Sequence, residues 1–225
     1  MHRHPSKAGL PPNRLETLAD GIFAIAMTIL VLDLRIPGTA GGADLPSQLR
    51  ELVPRFGTFL ISFIVLGVYW FAHHQIFYFI ARVNRTIVWL NILYFMGAAL
   101  VPFVASVLGA YWQDPSALTL YGGALGLMAA LGLVIWWYIT GDRGLIDEPL
   151  DSNLVRKVRM WIAIGPLISL VAIALAFVSP LASLLIYVSL PVLFILLNPV
   201  DSYLLRLRQN EQDRTGLLPG QGPIR

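Results

Sequence analysis

Five ionisable residues bracket a single apolar run in this chain. Arg14, Glu16 and Asp20 stand in the leading turns of residues 13–37, NRLETLADGIFAIAMTILVLDLRIP, and Asp33 and Arg35 stand at its far end. An ionisable group inside a membrane-spanning helix is costly unless it faces protein or water, so Asp20 requires a partner. Two further polar points lie in the next apolar runs: the adjacent His73 and His74, and Asn91. A carboxylate, a guanidinium, imidazoles and an amide can form a buried hydrogen-bonded network or guide an ion. They are poorly arranged for metal binding, because neighbouring histidines on a helix point about 100° apart and no H-E-x-x-H string occurs. No metal site and no cofactor are expected. Cysteine is absent, which excludes disulfides and thiol chemistry.

Beyond Asp20 the first run turns apolar. Ile25, Thr28, Ile29 and Leu32 recur at i, i+3, i+4 and i+7, which places them on one helical face. A polar entrance followed by a narrow, largely apolar stripe has two readings. It lines a pore, or it meets lipid and neighbouring helices. Gly21, Ala24 and Thr28 also suit close helix packing.

The elements that carry these residues are read from hydropathy. The chain is 56% hydrophobic and 13% charged over 225 residues, with a mean hydropathy of +0.69. A soluble domain carries roughly a quarter of its residues as Asp, Glu, Lys and Arg, so this is an all-α integral membrane protein. Six spans are expected, at 15–34, 56–80, 87–111, 118–139, 160–178 and 181–197, each near the ~20 residues that a bilayer core requires. The last two are separated only by Ser179 and Pro180, and read as a hairpin or a long re-entrant feature. Residues 38–47 form a Gly/Ala/Pro-rich loop. The organisation is a short segment 1–13, a six-helix domain 14–198 and a polar tail 199–225 expected to be disordered.

Orientation follows from the basic residues. Thirteen of the sixteen lysines and arginines fall in the N-terminal segment, the second and fourth loops and the tail, and three (Arg35, Arg50 and Arg55) fall on the other side. That asymmetry predicts cytoplasmic N- and C-termini. It also accounts for the net charge of +3 without a nucleic-acid partner. In this topology Asp20, His73 or His74, and Asn91 share one layer in the inner half of the membrane, with Arg14 at its edge. The expectation is a network joining them, either as packing alone or with a part in gating.

The run Arg14-Leu-Glu-Thr-Leu-Ala-Asp20, with the Thr-containing apolar stretch after it, resembles the signature helix of the transmembrane protein 175 potassium-channel family, whose motif is R-x-x-x-F-S-D. Leu18 and Ala19 replace the Phe and Ser of that motif, removing one hydroxyl. The strings Tyr69-Trp70-Phe-Ala-His73-His74-Gln-Ile-Phe77 and Trp89-Leu90-Asn91 are also similar, so the resemblance covers most of 13–111. It implies a potassium-selective channel of the bacterial branch, in the cell membrane, assembled as a homotetramer whose first helix lines a central pore. The family's constriction and further pore positions fall on Ile25, Thr28, Ile29 and Leu32, the stripe already picked out by spacing. It implies no Thr-Val-Gly-Tyr-Gly filter, and that string does not occur.

Two other classes compete. A secondary transporter often has broken helices and repeated halves, but no Gly or Pro falls between Ile22 and Ile36 and no repeat is visible. An intramembrane enzyme needs a nucleophile or metal constellation that the sequence does not contain.

Overall fold

The computed structural model describes residues 11–36, 44–141, 144–146 and 150–196. All the regular structure among them is helical: α1 (Asn13–Ile29), continued by a 3-10 turn (Leu30–Asp33), α2 (Leu45–Glu51), α3 (Val53–Phe77), α4 (Arg85–Ala110), α5 (Pro115–Ile139), α6 (Ser152–Ala176) and α7 (Pro180–Leu196). The first span (α1 with its 3-10 turn), α3, α4, α5 and α6 are long and apolar enough to cross a membrane. The shorter α7, at 17 residues, extends about 26 Å at 1.5 Å per residue.

The start signals are local. Asn84, Asp114 and Asp151 each accept a hydrogen bond from a backbone N–H in the first turn of α4, α5 and α6. These satisfy donors that a helix cannot satisfy within itself. Asp44 does the same for α2, with a proline in that helix's first turn. This short helix corrects the expected 38–47 loop: Leu45, Pro46 and Ser47 are already helical, while 38–43 lie outside the described residues. So do residues 1–10, Leu197 and the tail 199–225. The last two expected spans are two separate helices, α6 and α7, packed on each other.

Small residues set the closest approaches. A Cβ added at Gly97 would meet the Met128 side chain at 2.7 Å, and one at Gly165 would meet the Ala129 Cβ at 2.8 Å. Such contacts take the place of a hydrophobic driving force between helices in lipid. Buried tyrosines lock the register by donating into carbonyls of neighbouring helices: Tyr94 to Tyr69, Tyr69 to Leu125 and Tyr187 to Leu118. At the other end of the bundle from Asp33, the α3–α4 loop bonds to the α5–α6 connection through the N–H groups of Ala81 and Arg82 on the Leu145 carbonyl.

Candidate functional site

The first helix has two unlike faces. Leu15, Ala19, Phe23, Ala26 and Leu30 are buried against α3 and α4, with Phe23 beside the Tyr94 ring at 6.2 Å. On the other side Ile25, Ile29 and Leu32 are 59%, 44% and 56% exposed, and Thr28 is exposed between them. The stripe predicted from spacing is thus the side of α1 that this subunit leaves unpacked. It borders an open groove of about 650 Å³ whose other wall is α4, at Pro102, Phe103 and Ser106.

Thr28 does not point an O–H outward. Its Oγ1 lies 2.9 Å from both the Ala24 and the Ile25 carbonyl oxygens, so the proton is engaged by the helix. The hydroxyl's two acceptor lone pairs remain for whatever faces this side.

The polar layer resolves into two pairs rather than one chain. The Asp20 carboxylate accepts from the Trp70 indole Nε1–H at 2.8 Å, and the His74 ring stacks on that indole at 6.1 Å. Separately, His73 Nε2 and Asn91 Oδ1 lie 2.8 Å apart, and Asn91 Nδ2 donates to the Ile87 carbonyl at 2.8 Å. Because that amide nitrogen is committed as donor, Asn91 Oδ1 is the acceptor and His73 Nε2 carries the proton. Phe77, Tyr94 and Phe95 surround the His73 ring at 4.4–5.5 Å. Hence His73 is the histidine that meets Asn91, while His74 is exposed beside the Asp20–Trp70 pair. Arg14 is exposed and stands outside both pairs. Sequence reasoning missed Trp70 as Asp20's donor. The available signal was an indole N–H, which needs an acceptor at membrane depth.

At the far end of α1, Asp33 Oδ1 accepts from Ser106 Oγ of α4 at 2.6 Å, and Arg35 Nε donates back to the Leu32 carbonyl at 3.0 Å. Asp33 is partly buried there.

The family model of the endosomal/lysosomal potassium channel TMEM175 matches residues 14–102. A potassium channel of Streptomyces collinus is 35% identical over 170 residues, covering 74% of this chain and 82% of that protein. The chain belongs to the TMEM175 potassium-channel family. A potassium channel of Chamaesiphon minutus is 34% identical over 189 residues, covering 81% of this chain and 90% of that one. The crystal structure of a lysosomal potassium-selective channel TMEM175 homolog from Chamaesiphon minutus superposes with a TM-score of 0.74 at 32% identity, over 82% of this chain and 96% of that one. The all-helical membrane architecture is therefore that of the TMEM175 channels. The family is one of ion channels, not enzymes.

Proposed function

We propose that this protein is a potassium-selective channel of a bacterial cell membrane, with six spans per subunit and both termini cytoplasmic. Four subunits surround a central pore lined by α1. One observation carries this reading: α1 buries one face in its own subunit and leaves Ile25, Thr28, Ile29 and Leu32 uncovered. A heterologous contact repeated about a four-fold axis closes into a ring, and that ring covers the stripe from all sides.

Ile25 forms the constriction. Four isoleucine side chains exclude water, and an ion passes only when the ring is wide enough for partial hydration. Potassium sheds water at lower cost than sodium and so passes preferentially. Thr28, its proton held by the helix, supplies four oxygens that face a cation with lone pairs. This arrangement replaces the carbonyl filter of other potassium channels.

The test is a planar-bilayer recording of purified protein under opposed potassium and sodium gradients. Unitary currents with a reversal potential near that of potassium are expected. Silent bilayers, together with potassium-coupled uptake in vesicles, would establish a transporter in place of a channel.

A further inference from the structure

The far end of α1 contains a carboxylate that the pore reading does not use. Asp33 closes the 3-10 turn Leu30–Asp33. At about 100° per residue an uninterrupted α-helix would place it about 40° from Ile29, on the flank of the stripe. At about 120° per residue from Ile29 onward it lies about 160° from Ile25, on the side of buried Phe23, and Leu32 is eclipsed over Ile29. The overwound turn therefore rotates the carboxylate away from the stripe and toward α4. There it meets Ser106, its side-chain partner among the described residues, at 2.6 Å. Both residues line the same open groove as Ile25, Ile29 and Leu32, so the carboxylate stands next to the stripe while turned from it.

We propose that Asp33 and Ser106 are positioning residues for the permeation path: their contact holds the α1 turn overwound and keeps the carboxylate out of the pore mouth. The inference rests on the pore reading above. Its functional consequence concerns ion charge. Four carboxylates at a four-fold mouth form an acidic ring, and attraction to such a ring doubles for a divalent cation relative to potassium. Latched on α4, the ring is not formed, and the mouth distinguishes little between external monovalent and divalent ions. Released, it draws divalent cations to a pore that they cannot traverse, because they hold their water too tightly to cross the isoleucine constriction.

The experiment measures block of potassium current by calcium, added on the side of the membrane at which the Asp33 end of α1 lies, for the full-length protein in bilayers. Ser106→Ala removes the donor, and calcium is expected to block at a concentration about tenfold lower than in wild type, by the charge argument. Ser106→Thr keeps a hydroxyl and restores the wild-type value. Ser106→Ala combined with Asp33→Asn removes the carboxylate and abolishes the added block, an outcome that a merely loosened helix end would not produce. Should Ser106→Ala fail to assemble, Ser106→Cys keeps the volume, weakens the donor and is read in the same way. Equal calcium sensitivity in wild type and the Ser106 variants overturns the inference, whether the freed carboxylate stays on α4 or turns to Arg35 or Arg55 in the groove. A wild-type protein that passes no potassium current overturns instead the pore reading on which it rests.

Discussion

Ile25 is the first residue of the exposed stripe and, in the proposed tetramer, the side chain at the constriction. Ile25→Asn places four amides at the constriction, wets it, and is expected to raise conductance while lowering potassium-over-sodium selectivity. Reversal potentials under bi-ionic conditions read this out. Unchanged selectivity and conductance would remove Ile25 from the constriction. Phe23, about 200° away around the helix, packs against Tyr94. Phe23→Leu is therefore expected to lower stability and leave selectivity alone. In the polar layer, Asp20→Ala leaves the Trp70 indole N–H without its acceptor. The bond is exposed in this subunit, so its loss costs about 0.5–1.5 kcal/mol, the usual net value of a hydrogen bond. Asp20→Ala should reduce the yield of the proposed tetramer on size-exclusion chromatography before it alters selectivity, whereas Arg14→Ala, at an exposed residue outside the pair, should leave that yield nearly unchanged. Normal assembly of Asp20→Ala with altered conductance would assign Asp20 to permeation.

Between helices, the fit depends on missing side chains. An added Cβ at Gly122 would overlap the Tyr187 hydroxyl oxygen and sit 2.8 Å from its Cζ. Gly122→Ala is therefore expected to push Tyr187 off the Leu118 carbonyl and destabilise the α5–α7 contact by about 1–3 kcal/mol, the usual range for overpacking. Gly123→Ala, where nothing lies within 4 Å, should be neutral. Thermal unfolding of the two variants in detergent measures the difference, and equal melting temperatures would mean that α7 yields freely. What the sequence made legible at this scale follows from periodicity. The two faces of α1 appear in its spacing because burial on one side alone leaves a 3.6-residue signature. The choice between His73 and His74 did not appear, since adjacent residues carry the same composition and differ only in rotation. The 3-10 turn was equally hidden: Leu-Val-Leu-Asp has no local residue that enforces overwinding, and the Ser106 contact comes from a helix 73 positions away. Asp44 and Pro46 did signal α2, but the glycine-rich run before them masked it.

For the molecule as a whole, the distribution of basic residues predicts the arrangement in the membrane. Cysteines introduced singly at Gly42 and Gln212 have no native thiol to compete with. They are expected to react with an impermeant maleimide from opposite sides, and labelling from the same side would overturn the six-span map. Native mass spectrometry should give four copies of the chain. A monomer that still conducts would place the path inside one subunit and dismiss the stripe as its lining.

The tyrosine bonds between helices have a consequence for how this protein varies. Tyr69 and Tyr187 donate to the backbone of Leu125 and Leu118, not to those leucines' side chains. Both leucine side chains are buried, so a replacement must fit the core, but the bond itself asks nothing of their chemistry; neither tyrosine can lose its hydroxyl without ending it. The bond therefore sets no rule that pairs a residue type at one end with a residue type at the other. The contacts that fix how far α5 slides along α3 and α7 are thus written in one residue each, a tyrosine, while the apolar contacts around them depend on the shapes of both partners.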